Sequence, residues 1–228
     1  VAEPELRIVH LDDDLAVVDK PAGLVVHPAP SHEGTTLVDE LADILGGGED
    51  PERPGIVHRL DKGTSGLLVV ARGDEAHAAL QAAVQRREVE RAYLALAGGK
   101  VGSRTGTIDA PIGRASRQRT RMAVSGAGSR AARTHFTVLE LLALESYLEA
   151  RLETGRTHQI RAHFAAIGHP LTGDATYGGA RRYDLRRQFL HAHRLAFAHP
   201  TSGERLSFES SLPDDLAAAL EAARGAQR

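Results

Sequence analysis

The residues best suited to chemistry lie in one stretch, His58 to Arg72, which reads HRLDKGTSGLLVVAR. It holds a single carboxylate, Asp61, between Arg59 and Lys62 in a polar, glycine-bearing turn, and runs straight into an apolar strand over Leu67–Ala71. An aspartate with an ordinary pKa of about 3.9 is ionised at neutral pH, and flanking cations hold it so. Such a group can act as a nucleophile or a base. The same residues also make an ordinary surface turn with a weak local ion pair, so the remainder of the chain has to choose between the two.

Two further residues fall at element edges inside otherwise apolar patterns. Tyr93 sits in VERAYLAL, and Arg161 follows Ile160 on a helix whose apolar stripe begins there. Tyr93 alone would also serve as a core aromatic with a bonded hydroxyl. Arg161, beside a buried stripe, requires a carboxylate partner. The motif Thr154–Arg161, TGRTHQIR, is dense in donors at a helix N-terminus, a place that attracts anions such as phosphate, and Thr157 is the expected N-cap.

Other chemistries find less support. Twelve histidines raise the idea of a metal site, with His191 and His193 on one strand face, but no HxxxH or HExxH pair on a helix and no cysteine occur, so no metal is expected. Gly63-Thr64-Ser65-Gly66 is one residue short of a hydrolase nucleophile elbow and precedes a strand where that motif follows one. Neither GxxxxGK[ST] nor GxGxxG occurs, so no nucleotide cofactor is expected.

A chain of 228 residues can bury one substantial core, as one domain or two lobes sharing a sheet. Its hydrophobic content of 42% and charged content of 25% are those of a globular protein. No apolar run approaches the length of a membrane span, and a cytoplasmic location is the default expectation. The net charge of −2 hides an asymmetry: residues 1–50 carry twelve acids against Arg7 and Lys20, whereas residues 100–195 carry sixteen Lys or Arg against seven acids. A partner responds to the local field, so the second half can still meet a polyanion. Within residues 98–133, Arg104, Arg114, Arg117, Arg119, Arg121, Arg130 and Arg133 face only Asp109.

The elements that must position these residues are short. A hairpin is expected over 6–11 and 15–19, a strand over 24–27, and a helix from 34–36 carrying Leu37, Leu41, Ile44 and Leu45. A helix capped by Asp74 follows, then a strand through Tyr93, short strands near 105–108 and 120–124, and a hairpin over 135–144 and 147–153. A helix over about 157–167 places Ile160, Phe164 and Ile167 on one face, and late strands at 190–197 and 205–208 precede a terminal helix after Pro213. Strands and helices mix without βαβ alternation, which predicts an α+β fold with a largely antiparallel sheet.

With Asp61, Tyr93 and Arg161 in view, the chain resembles the RluA/RluD family of RNA pseudouridine synthases. The likeness runs through KPAGLVVHP (20–28), HRLDKGTSGLLVVAR (58–72), RAYLAL (91–96), TGRTHQIRAH (154–163), GHPLTGDATYG (168–178) and LHAHRLAFAHP (190–200). Arg91 stands where many relatives carry Lys. The resemblance implies the pseudouridine synthase fold, a central sheet flanked by helices and loops with a cleft across it. It implies that Asp61 is the essential aspartate, Tyr93 the aromatic that stacks on the target uracil, and Arg161 the partner of the aspartate. Expected RNA contacts are Arg59 and His58 of the same motif, Arg156 and His158 of the helix-entry motif, and Arg117, Arg119 and Arg121 of the basic stretch. In that family a small basic S4 domain often precedes the catalytic domain. The expectation here is a catalytic domain alone over 1–228, monomeric and free of cofactor. The substrate implied is RNA, ribosomal RNA of the large subunit before transfer RNA, and the intact Asp61, Tyr93 and Arg161 set argues against a non-catalytic RNA-binding module. The chemistry breaks N1–C1′, turns the uracil and joins C5 to C1′, after the nucleotide is flipped from its stack. Attack of the carboxylate at C1′ and removal of a sugar proton both need it ionised.

Overall fold

The computed structural model describes residues 5–28, 33–115 and 121–226. In chain order the elements are β1 (Arg7–Leu11), β2 (Leu15–Lys20), α1 (Leu37–Glu40), β3 (Ser65–Ala71), α2 (Asp74–Gln85), β4 (Glu90–Gly98), β5 (Thr105–Asp109), β6 (Ile112–Arg114), β7 (Met122–Val124), β8 (Ala127–Arg130), β9 (Arg133–Leu141), β10 (Glu145–Leu152), α3 (Gln159–Ala166), β11 (Leu190–Ala198), β12 (Arg205–Glu209) and α4 (Asp214–Gly225). They form two compact units, Val1–Arg91 with Ala192–Ser210, and Ala92–His191 with Ser211–Arg228. The content is α+β, as the mixed pattern predicts. Among the described residues no helix is long and apolar enough to cross a membrane.

In the first unit the strand order is β1-β2-β3-β11, with β12 beside β11. β2 pairs antiparallel with β1 and with β3, and β11 with β12. All seven residues of β3 are buried, and so are Leu15 to Val18 of β2. A strand covered on both faces reads as an unbroken apolar run, which is why LLVVA is continuous rather than alternating. Leu15, Val17, Leu67, Val69 and Ala71 form one buried face with Ala76 and Leu80 of α2 and with Leu195 and Phe197 of β11.

The second unit holds an antiparallel sheet ordered β4-β10-β9-β5 and a small sheet ordered β7-β6-β8. α4 packs Leu216, Ala219, Leu220 and Ala223 with Leu96, Tyr147 and Phe189. α3 sets Ala162 with Ile112, Ala132 and Tyr177.

Several sequence expectations change for identifiable reasons. The stretch expected as a strand at 24–27 makes a single bridge, Val25 to Thr36. Its carbonyls instead receive the first amides of α1, from Leu37 to Val25 (2.8 Å) and from Val38 to Val26 (3.1 Å). α1 itself has four residues, held by a Thr36–Asp39 capping box. It stops short of Ile44 because the next segment is drawn to the end of β3, where the Gly46 amide donates to the Ala71 carbonyl at 3.1 Å. Asp74 is the first residue of α2 and not its cap: Gly73 holds that place, and the Asp74 carboxylate accepts from the Gly48 amide. On α3, Ile160 and Phe164 are buried as expected, but Ile167 is exposed at the helix end.

Gly66 occupies a position that only glycine fits. Its φ is +115°, and a Cβ there would lie 2.3 Å from the Ala192 carbonyl oxygen of the same unit. The residue is required by a close backbone approach at the end of the Asp61 loop. Replacing it with alanine, Gly66→Ala, should destabilise the fold by about 2–4 kcal/mol, seen as a lowered urea midpoint.

Candidate active site

The Asp61 loop belongs to the first unit and is tied down by its backbone. The Asp61 carbonyl accepts from the Thr64 amide (3.0 Å), and the Lys62 carbonyl from the Gly23 amide (2.7 Å). Leu60, Thr64 and Ser65 are buried, Asp61 is half-buried, and Arg59 and Lys62 are exposed. The loop thus presents its charged residues while its apolar and hydroxyl residues anchor it. Lys20, which faces Gly66 across the β2–β3 ladder, is fully buried, and its ammonium donates to the Pro21 (2.7 Å) and Leu24 (2.8 Å) carbonyls. It holds the turn whose Gly23 meets the Asp61 loop. Sequence reading left this lysine without a role, although its place at the head of KPAG was the available signal.

His58 and Arg59 serve different ends. The Val69 amide donates to His58 Nε2 at 3.2 Å, which fixes the ring to β3. An accepting Nε2 puts the proton on Nδ1, which is buried and finds no partner among the described residues. Some of the residue's surface is exposed, but Nδ1 is cut off from water, and burial, with the nearby Arg91 charge, lowers the ring's pKa to about 3. His58 is therefore a neutral anchor at physiological pH, where an RNA contact was expected. Arg59 Nη1 lies 3.5 Å from His27 Nε2, the outer limit of a hydrogen bond, and His27 Nδ1 lies 2.9 Å from the Pro28 carbonyl.

Tyr93 and Arg161 belong to the second unit. Tyr93 is buried on β4, opposite Ala150 of β10. Arg161 is 6% exposed. Its Nε and Nη2 donate to the two oxygens of Asp174 at 2.7 and 2.9 Å, a bidentate fork with a carboxylate 1% exposed. Asp174 Oδ1 also accepts from the Thr176 (3.1 Å) and Tyr177 (3.3 Å) amides. A buried pair of this kind needs such extra bonds to offset lost hydration. The carboxylate predicted for Arg161 by its burial therefore exists within the same unit, and GDATYG was the signal for it.

Tyr177 extends this cluster. Arg161 and Arg121 hold their guanidinium carbons 5.2 and 4.8 Å from its ring centroid, within cation–π range. Its hydroxyl donates to the Met122 carbonyl (3.0 Å) and accepts from the Met122 amide (3.1 Å), and His158 Nδ1 lies 3.2 Å from it. Of the expected RNA contacts, Arg121 and His158 thus converge on one tyrosine. Arg156 donates through Nε to the Ala131 carbonyl at 3.1 Å. Arg117 and Arg119 lie outside the described residues.

The entry to α3 corrects the capping expectation. His158, in the left-handed region at φ 55°, takes the N-cap place, and Thr157 lies before it. Gln159 performs the tethering that a cap would: its Oε1 accepts from Arg156 N (3.0 Å) and Thr154 Oγ1 (2.7 Å), and its Nε2 donates to the Arg133 carbonyl and Thr134 Oγ1, both at 3.0 Å. His163 is held between Thr134 Oγ1 and the Ala110 carbonyl, each at 2.9 Å, and burial lowers its pKa. Among the described residues no three His, Cys, Asp or Glu gather as a metal ion would require.

Comparison with known proteins defines the class, that of the RNA pseudouridine synthases. The sequence model described as RNA pseudouridylate synthase matches residues 14–166. The chain belongs to that family. It is 48% identical over 225 residues to an uncharacterised RNA pseudouridine synthase of Bacillus subtilis, covering 97% of this chain and 74% of the relative. It is 49% identical over 227 residues to ribosomal large subunit pseudouridine synthase D of Nitrosomonas europaea, covering 96% of this chain and 65% of that one. Among solved structures, human RNA pseudouridylate synthase domain containing 1 aligns with a TM-score of 0.73 at 31% identity, covering 93% of this chain and 86% of that one. Members of the family are isomerases that convert uridine to pseudouridine in RNA, as the sequence motifs imply.

Two measurements address the anchors. Asp174→Ala leaves a buried guanidinium without its carboxylate and should cost about 3–5 kcal/mol in urea unfolding. For His58, the unfolded ring takes up a proton near its ordinary value of 6.5, whereas the folded ring does so only near 3. Its contribution is present above pH 6.5 and is lost as pH falls through that window. His58→Gln should therefore flatten the acid-side decline of stability between pH 6.5 and 3, by at most about 1.4 kcal/mol per pH unit.

Proposed function

We propose that this chain isomerises specific uridines of large-subunit ribosomal RNA, with Asp61 as the essential carboxylate. The observation that carries the substrate is the 49% identity to a relative named ribosomal large subunit pseudouridine synthase D. In this reading Asp61 acts at the sugar, Tyr93 offers the aromatic face for the flipped uracil, and Arg161, oriented by Asp174, is the arginine that the family resemblance pairs with the aspartate. Arg59, exposed in the same turn, contacts the RNA in this reading. In this reading the enzyme works in the cytoplasm and acts as a monomer.

The reaction is balanced within the substrate. N1–C1′ breaks, C5–C1′ forms, the C5 hydrogen leaves as a proton as C5 returns to sp2, and N1 takes up one proton, so atoms and charge balance. No electron or group enters from outside. The order of events at C1′ does not alter what is required of Asp61, which must be ionised and close to the ribose.

Asp61→Asn keeps the size and turn geometry of the residue while removing its charge. It should abolish release of tritium from C5-labelled uridine in a large-subunit RNA transcript and leave RNA affinity within a few fold. Turnover retained by this variant would overturn the assignment.

A further inference from the structure

The turn that carries Asp174 begins a segment that the chemistry above leaves unused. Gly173, Arg181, Arg182, Tyr183, Asp184 and Arg186 line an open pocket of about 500 Å3 within the second unit. Four arginines lie between 181 and 187, and they divide into two roles. Arg182 Nη1 donates to the buried Glu145 carboxylate at 3.0 Å, and Arg187 forms a bidentate pair with Asp215 of α4 at 2.6 and 2.8 Å. These two fasten the segment to the unit. Arg181 and Arg186 are exposed and have neither ion pair nor hydrogen bond among the described residues.

The pocket is held open by its backbone. Tyr183 and Asp184 both lie in the left-handed region, φ 56° and 55°, which residues with side chains occupy when their surroundings require it. Here the Tyr183 hydroxyl donates to the second Glu145 oxygen at 2.8 Å, the Leu185 amide closes onto the Arg182 carbonyl at 3.1 Å, and the Leu185 side chain is buried. Gly173 has a φ of +80° and lies so near the Arg187 carbonyl that a Cβ would be 2.1 Å from its oxygen. A strained, fixed turn thus displays two guanidinium groups that the fold does not consume. Asp184 is the one acid among the lining residues, so the lining is positive on balance.

We propose that this pocket is a seat for the sugar–phosphate backbone of the RNA substrate, with Arg181 and Arg186 taking a phosphodiester. The proposal rests on the reading of the chain as an RNA enzyme and adds a contact outside the basic stretch at 98–133. Planar guanidinium forks match phosphate oxygens. An open, solvent-facing pocket suits a phosphate that remains part of a hydrated strand. Its floor residue, Gly173, adjoins Asp174, which grips Arg161. A strand seated there is held by the same turn that orients the proposed active-site arginine.

The test uses the full 228-residue chain and a large-subunit ribosomal RNA transcript, with binding measured over a series of KCl concentrations. The pair Arg181→Ala with Arg186→Ala should weaken binding about 5–20-fold near 0.1 M salt and reduce the slope of log K against log salt by about 1–2. At saturating RNA, turnover should stay within about twofold, and Arg181→Lys with Arg186→Lys should restore the slope. Unchanged affinity and slope in the alanine pair would overturn the seat. So would an equal loss from Arg53→Ala with Arg86→Ala, arginines already paired with Asp50 and Glu88, since the effect would then follow net charge. Wild-type binding without pseudouridine formation would overturn the functional reading and leave the seat intact. Wild-type turnover beside an unchanged slope would do the reverse.

Discussion

A guanidinium and a carboxylate share a protein interior only when their geometry and remaining bonds replace the water that both have lost. Arg161 and Asp174 meet that condition with a two-point fork, and two backbone amides on the same carboxylate complete it. Much of the second unit's site follows from this pair. Asp174 closes the turn that presents Tyr177, and Tyr177 bonds through its hydroxyl to both backbone groups of Met122. Its ring lies under the guanidinium groups of Arg161 and Arg121. Helix α3, the turn after Gly173 and the small sheet are therefore one connected polar structure. The direction in which Arg161 points is a property of that structure, not of the helix alone.

The first unit holds its proposed catalytic loop by different means. Asp61 stands in a loop whose carbonyls and apolar residues are committed while its charged side chains are not buried. A neutral His58 fastened to Val69 and a buried Lys20 fastened to two carbonyls fix the loop and the turn beside it. Both stiffen the loop that carries the proposed carboxylate.

Arginine counts overstate the surface available to RNA. Arg133 is spent on Asp109 and Glu153, Arg161 on Asp174, Arg182 on Glu145 and Arg187 on Asp215. The excess of basic residues in the second half of the chain is thus partly internal bookkeeping of the fold. Arg181 and Arg186 differ from these neighbours in having no internal duty among the described residues.

The sequence by itself determined the family, the α+β class, the buried strand after Asp61, and the candidate trio, because ordered motifs and apolar runs are local properties of a chain. It also required a carboxylate for Arg161, since its place beside an apolar stripe implied burial. The family resemblance named Asp61 for it; only the tertiary structure showed the bidentate fork on Asp174, thirteen residues onward. Pairing across a turn depends on where the backbone returns, and no periodicity records that. The same reason explains the shortened α1, drawn off by the end of β3, and the left-handed His158 at the start of α3, whose capping passed to Gln159. It also explains Gly66, a glycine of a polar turn in the sequence that the fold presses against the Ala192 backbone. Local chemistry could be read residue by residue, but which groups spend each other's charge was decided by folding.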